Sequence, residues 1–563
     1  MTTYVVETGR RAWETLPRVR ERIEAIEPAR VLVAAILVQW STTLGLALTV
    51  RHNGWLYYQG GDQLWHYISG WLLADGKLPY PLVGPGWPAI LAPFAAFGGP
   101  TLVPALPAIV LLNVLILGPV ALVCMYGIAK QLGGRLFAYW ITVLWLAVPF
   151  IGIKYTDHLY HMRYTEVTLP QSFGLSAMSD YPSMVATLVC VYFALRVIER
   201  TDVIDALAAG LAAGTTIAIK PSNSVFLLGI ILALAYRRRV VGAGLILAGL
   251  VPALATLALW KYRGYGYLPL FHSAATAKLA LGEHGIPLAF NPLHRYVHFD
   301  WHHLHLELLN IREHFWSARV IEWLVIGGVI GLLRRSLTAA LVVGGWFAAF
   351  VVTKGTYPWA SVDDGSIFRI MMPSYPAFVL MIGALVFLFP RGRRAATPSP
   401  PATTPAGSRR RRLMLLGAAA LVFALYPLAL VAAATPVRGP EPRAYMAVGL
   451  LRSVDPSLRL TATTEGRRVH LTWTQQKPFG SAVFFRVWRS GAPDGGATCT
   501  HVPHAVDDCR LDMQDLGTFD GRLVDSPGRG RWTYRLGLAA NWLNSPDYGD
   551  VYSVGPPLVV RIR

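Results

Sequence analysis

Charge is scarce in this sequence. Only 15% of its 563 residues are Asp, Glu, Lys or Arg, while 54% are hydrophobic; soluble domains carry roughly 25% charged residues. That shortage excludes an ordinary soluble enzyme. Cysteine is scarce too, with four residues. Cys124 and Cys190 fall inside apolar runs, as packing residues do. Cys499 and Cys509 stand in the polar stretch "CTHVPHAVDDC", where a disulfide is expected if that region lies outside the cell. No H-E-x-x-H motif occurs, which removes support for a zinc protease. Acidic residues number 32 against 51 basic ones, a net charge of +19. The excess does not mark a nucleic-acid binder, because the basic residues gather between apolar runs: "PRVRER", "YRRRV" (236–240), "RGRR" (391–394) and "RRRR" (409–412). Cytoplasmic loops of membrane proteins show that bias.

What the sequence does have is long apolar runs. "VLVAAILVQWSTTLGLALTV" (31–50) can cross ~30 Å of hydrocarbon, and further runs follow at 102–128, 136–153, 181–197, 204–219, 222–236, 240–260, 319–333, 337–353, 368–389 and 413–434, about eleven crossings in all. The first run begins after a charged segment, residues 1–30, and is followed by others, so it is not a cleaved signal peptide. With the N-terminus in the cytoplasm, every basic cluster falls inside. Residues 51–101, 154–180, 261–318 and 354–367 then fall outside, and residues 31–389 form one membrane domain. "PRGRRAATPSPPATTPAGSRRRR" (390–412) is a disordered or polyproline-like cytoplasmic linker, and 413–434 is the last crossing.

Beyond residue 440 the pattern changes to short alternating strands, as in "LRLTATTEGRRVHLTW", "SAVFFRVWRS" and "GRWTYRLGLAANW", separated by Gly, Pro and Asp turns. The expected fold class is therefore an all-α polytopic membrane domain followed by an extracytoplasmic β-sandwich. Over about 455–563 the sequence resembles a fibronectin type III module. Trp473 matches that module's early core tryptophan, and Trp532 or Tyr534 matches its late corner aromatic.

The first outer loop opens with "YYQGGDQLWHY" (57–67) and continues through "LADGKLPY" and "GPGWP" into an apolar stretch broken by prolines. A helix pair in the membrane interface, anchored by Trp71 and Trp87, is expected there. An aspartate soon after the first crossing, followed by these motifs, resembles the first outer loop of the GT-C superfamily. These are polyprenyl-phosphate-sugar-dependent glycosyltransferases, and protein O-mannosyltransferases and lipid A aminoarabinose transferases are among them. "GTTIAIKPSN" (214–223) is similar to that superfamily's lysine-proline motif, and "IFRIMMPSYPAFVLMIGAL" (367–385) to its arginine followed by two prolines. The resemblance spans roughly 30–390, and the three motifs come in order on one side.

Such a reaction needs a carboxylate to take the acceptor hydroxyl's proton and cations to stabilise the leaving lipid phosphate. Asp62, Lys220 and Arg369 lie at outer edges and are assigned those roles, Asp62 as general base and the two cations as phosphate ligands. Asp62 can equally cap the helix beginning "QLWHY", and Lys220 and Arg369 can snorkel to the interface. Asp157 and Asp180 supply further catalytic carboxylates in the second outer loop. Asp157 ranks above Asp180, which can instead be a helix N-cap. Tyr58, His66, Tyr155 and His158 are candidate substrate contacts or members of an interfacial aromatic belt. In the third loop, His298, His302 and Asp300 have the spacing to hold a divalent cation; an amphipathic interfacial helix explains them as well.

The reading is a multi-pass plasma-membrane glycosyltransferase, of bacterial composition, which moves a sugar from a polyprenyl phosphate to an outer glycan, lipid or protein. The alternative is a transporter or flippase of lipid-linked sugars, which calls for mid-span charges and paired interrupted helices. A reporter active only outside the cytoplasm, fused after residue 563, is expected to be active; activity of a cytoplasm-only reporter there would overturn the threading.

Overall fold

The computed structural model describes residues 21–49, 62–79, 81, 83–99, 102–161, 164–165, 168–266, 268, 299–315, 318–358, 360–363, 365–389, 406–436, 458–473, 484–492, 514–518, 521–539 and 551–563. Tyr58, His298, Cys499 and Cys509 lie outside them. The chain is a multi-pass membrane protein with a mostly helical membrane part. Among the described residues eight helices are long and apolar enough to cross a membrane: Pro28–Leu48, Ala105–Gly133, Arg135–Lys154, Asp180–Glu199, Val240–Gly264, Leu337–Gly355, Ser366–Leu388 and Arg409–Ala433. The other three runs read as crossings are helical as well. Val203–Ile219 and Pro221–Tyr236 are shorter, and the latter opens with a 3-10 turn at Pro221–Phe226. Ala318–Arg335 has 18 residues and ends on two arginines.

Apolar side chains gain little by meeting one another in lipid, so helices close up where small residues let backbones approach. A Cβ on Gly210 would lie 2.1 Å from the Ile246 carbonyl oxygen, and Gly249 faces Gly210 across the same contact. Gly229 and Gly345 make a second such crossing, between the helices Leu227–Tyr236 and Leu337–Gly355. The Ala105–Gly133 span is interrupted by a π-helical turn at Leu112–Leu117, directly before Pro119. That turn brings Asn113, which is fully buried, to donate from Nδ2 to the Ser176 carbonyl at 2.8 Å. A π-turn often marks a functional region in a helix, and here it fixes the second loop.

Basic side chains at one end of the bundle hold carbonyl groups that helices leave unbonded at their C-termini. Arg334 donates to Leu388 O at 2.7 Å, Arg335 to Leu132 O at 3.1 Å, and Arg239 to Ile198 O at 3.1 Å and Glu199 O at 2.7 Å. The same end contains Asp205, fully buried, which pairs with Arg196 at 2.9 Å and with Arg412 at 2.5 Å. Arg412 also reaches Asp202 at 3.3 Å. This cluster joins the helices Asp180–Glu199 and Val203–Ile219 to the last membrane helix. Asp180 and Arg196 are sixteen residues apart on one helix, about 24 Å at 1.5 Å per residue. The charges at its two ends are therefore separated by most of the ~30 Å of a bilayer's hydrocarbon core.

At the other end, Lys77–Leu78 pairs in parallel with Thr435–Pro436, and Arg263 donates to Ala432 O at 2.6 Å. The exit of the last helix is thus tied to the first loop, and the C-terminal domain leaves on the side of Asp62. Among the described residues that domain has two sheets. Thr461–Glu465, Arg468–Thr472 and Arg522–Asp525 form one. In the other, Gly530–Ala539 lies between Phe484–Ala492 and Leu558–Ile562, with Gln514–Thr518 on the outer side of Phe484–Ala492. Val551–Val554 also pairs with Gly530–Ala539. Val469, Leu471, Trp473, Phe485, Trp532 and Tyr534 are buried. Asp525 links the sheets, accepting from Arg489 at 2.9 Å and from the Tyr534 hydroxyl at 2.8 Å.

Removing Asp205 leaves Arg196 and Arg412 without their buried counter-charge. Asp205→Ala is expected to cost about 3–5 kcal/mol, read as a fall in unfolding midpoint in detergent; an unchanged midpoint would remove the cluster's structural role.

Candidate functional site

Asp62 stands at the start of the described helix Asp62–Ala74. Its carboxylate pairs with Arg369 at 2.9 Å. Asp180 likewise opens its own helix, whose N-cap is Ser179; the N-cap reading of Asp180 therefore fails. Its carboxylate is turned inward against Lys220, with which it makes an ion pair. Lys220 takes that position because Pro221 follows it. The residue before a proline is pushed out of the helical region, and Lys220 has φ −142 and ψ 93, ending the helix Val203–Ile219. Arg369 lies on the short helix Ser366–Met371, which starts after Gly365 at φ 76, a left-handed conformation that suits glycine.

Four segments of the chain thus meet in one charged cluster. His66 is beside it, in the field of Asp62, Asp180, Lys220 and Arg369. Its ring is 4% exposed, and burial is the main cause that lowers its pKa to about 4. Asp62 and Asp180 raise it less than burial lowers it, so the ring is neutral at physiological pH.

The loops are held by hydrogen bonds to the backbone of one residue. Gln63 Oε1 accepts from the Ala177 N–H at 3.0 Å, and Trp87 Nε1 donates to the Ala177 carbonyl at 2.8 Å. Trp87 is fully buried, so it is a clamp and not the interface anchor expected of it. The "GPGWP" turn lies against the end of the Lys220 helix. A Cβ at Gly84 would fall 2.2 Å from Ala218 O, and one at Gly86 would fall 2.8 Å from Ala218 C. Glycine is needed at both positions for that approach.

Of the residues with cation-ligand spacing, His298 lies outside the described residues. Asp300 caps the helix Trp301–His314, accepting from the His303 N–H at 2.9 Å, and this bond holds its pKa below the usual range. His302 is exposed. Among the described residues no group of three His, Cys, Asp or Glu side chains could hold a metal ion. What the helix does is grip the loop leading to Arg369. Glu307, 5% exposed, accepts from the Val362 N–H at 2.6 Å, and His303 bonds the Ala360 carbonyl at 2.7 Å. His314 stacks on Tyr160 at 4.5 Å. Asp157, ranked above Asp180 from sequence, is exposed and its side chain makes no ion pair among the described residues; its N–H donates to His314 O at 2.7 Å and its carbonyl accepts from the Tyr160 N–H at 2.9 Å. Of the two carboxylates it is Asp180 that is paired with a cation. His158 is exposed, with its ring 5.4 Å from that of His161, and Tyr155 is half-buried.

Below the charged cluster runs an apolar cavity of about 660 Å³. Trp87, Pro182 and Ile219 line its upper end, next to Asp180 and Lys220 in sequence, and Ile204, Phe193 and Arg412 its lower end. Ile219 and Ile204 are fifteen residues apart on one helix, so the cavity extends for about 22 Å. Sequence reasoning missed this slot, because its wall includes the last helix, more than 180 residues away in the chain.

No protein-family model and no curated protein sequence matches the chain. Among solved structures, it is similar to ArnT from Cupriavidus metallidurans bound to undecaprenyl phosphate, at 15% identity over 77% of this chain and 82% of that one, with a TM-score of 0.41. It is also similar to the archaeal oligosaccharyltransferase AglB from Archaeoglobus fulgidus in complex with an inhibitory peptide and a dolichol-phosphate, at 13% identity and a TM-score of 0.36. That alignment covers 74% of this chain and 58% of the archaeal one. Both likenesses are in helical architecture, and residue roles do not transfer through them.

Two outcomes follow from this geometry. Glu307→Ala leaves the buried Val362 N–H without its acceptor and is expected to cost about 1–3 kcal/mol, whereas Glu307→Gln keeps an acceptor and most of the stability; equal unfolding midpoints for the two would remove the grip. His66, whose folded pKa is depressed, contributes stability that is full above its unfolded pKa near 6.5 and is lost as pH falls toward 4. A His66→Phe chain should show a flatter decline in unfolding midpoint across that window.

Proposed function

We propose that the protein is a membrane glycosyltransferase that moves a sugar from a polyprenyl-phosphate donor to a hydroxyl of an extracytoplasmic acceptor. The observation that carries this reading is the junction of two opposite chemistries. Lys220 and Arg369 stand in a half-open charged cluster, and an apolar slot about 22 Å long starts beside Lys220. A ligand that fits both has a phosphate head and a long hydrocarbon tail. The order of the three sequence motifs supports the same donor.

The chemistry assigns each charge a task. The acceptor oxygen attacks the anomeric carbon while its proton passes to the Asp62 carboxylate. The bond from that carbon to the phosphate oxygen breaks with inversion, and the polyprenyl phosphate leaves with one more negative charge. Lys220 and Arg369 stabilise that charge. In the resting site both cations are held by carboxylates, Arg369 by Asp62 and Lys220 by Asp180. An arriving phosphate competes for them, which releases Asp62 to act as base only when donor is present. The acceptor glycan, lipid or protein is left open by these residues, and no divalent cation is required by this scheme.

Against the transporter reading, the charges of the cluster sit at helix ends and not at mid-span. Purified protein given polyprenyl-phosphate-sugar and candidate acceptors should transfer the sugar. Asp62→Asn is expected to lower turnover by about 10²–10⁴-fold while binding polyprenyl phosphate at least as tightly as the parent, since Arg369 is then no longer held by a carboxylate; Lys220→Met and Arg369→Met should weaken that binding. Full turnover in Asp62→Asn with loss in Asp180→Asn would move the base to Asp180. Sugar-lipid translocation without transfer would establish the transporter instead.

A further inference from the structure

The helix Asp62–Ala74 places His66 one turn beyond Asp62, so the two side chains share a face. The cluster has a rim and a floor. The side chains of Asp62, Arg369 and Lys220 are 46%, 27% and 21% exposed, whereas that of Asp180 is 1% exposed. His66, at 4%, belongs to the floor. Its Nδ1 is closed off from solvent and has no hydrogen-bond partner among the described residues. A buried polar atom in that state calls for a specific partner, because nearly all such atoms in folded proteins have one.

The chemistry of the partner can be narrowed. A phosphate is better served by Lys220 and Arg369, since charge-assisted bonds are roughly twice as strong as neutral ones, and a neutral imidazole adds no charge. An apolar group would leave Nδ1 as it is. A hydroxyl both donates and accepts, so it satisfies a neutral imidazole in either tautomer. With the phosphate held by Lys220 and Arg369, the hydroxyls nearest His66 are those of the sugar bonded to it. Resting on the donor proposed above, we infer that His66 is a sugar-binding residue, whose imidazole hydrogen-bonds a hydroxyl of the transferred sugar and fixes the anomeric carbon with respect to Asp62. The terminal torsion of histidine is broad and two-fold, so a turn of the ring presents Nδ1 to the open side once Arg369 leaves Asp62 for the phosphate.

The test separates sugar from phosphate. The full chain in detergent is titrated with a short-chain polyprenyl phosphate, bare or carrying mannose or arabinose. The parent is expected to bind at least one sugar-bearing form about tenfold more tightly than the bare lipid, equivalent to about 1.4 kcal/mol. His66→Phe should lose that increment to within about twofold while binding the bare phosphate unchanged, which also shows that the variant is folded. His66→Asn, which can donate and accept, should recover part of it. If His66→Phe keeps the increment, the partner of Nδ1 is a water molecule and the inference is overturned. If neither sugar adds affinity in the parent, it is overturned as well, with the phosphate reading intact. Absence of binding to every lipid phosphate would instead sink the donor on which it rests.

Discussion

The Asp180–Lys220 ion pair is the interaction on which the arrangement of this protein depends. A carboxylate that is 1% exposed at the end of a membrane helix is sustainable only with an opposite charge against it. The pair fixes the start of one helix to the end of the next. That junction, in turn, is where the first loop packs, through Gly84 and Gly86 against Ala218 and through Trp87 on the nearby Ala177 carbonyl. Asp62 and His66 follow from it, since their helix is held by Gln63 to the N–H of the same residue. Arg369 is brought in from the far end of the sequence and closes the cluster on Asp62.

The two ends of the membrane domain use charge differently. At the basic end, arginines bind helix carbonyls and the buried Asp205, and the result is mechanical: helices are tied together. In the cluster at the other end two cations face two carboxylates with its rim half-open, and a neutral histidine lies below them. Those pairs can be exchanged for a ligand's charge, because a phosphate offers the cations what the carboxylates offer now. The apolar slot connects the two ends along the Asp180–Glu199 and Val203–Ile219 helices. A fixed end and an exchangeable end are therefore built on one helix pair.

Much of this was legible in the sequence. Each of the eleven apolar runs is helical among the described residues, and motif order singled out Asp62, Lys220 and Arg369, two of them paired with each other. The loops were less legible. Asp157 and Asp180 have the same chemistry, and residue type does not say which of them meets a cation; in the fold it is the buried Asp180. Near residue 302, Asp300 is a helix cap and Glu307 holds a backbone N–H, contacts that the spacing of the histidines does not announce. Trp87 looked like an interface anchor because tryptophans often are, and only its bond to Ala177 shows otherwise.

By itself the sequence determined the membrane helices, the side on which its basic residues gather, and the types of charge available at the other side. Those properties depend on composition over windows of about twenty residues, the length that spans a bilayer, and local patterns carry them. Tertiary structure alone decided which carboxylate meets which cation, that a neutral histidine lies beneath them, and that an apolar slot opens beside Lys220. Each of these depends on contacts between residues 40 to more than 300 positions apart, and long-range packing is written in no single stretch of chain.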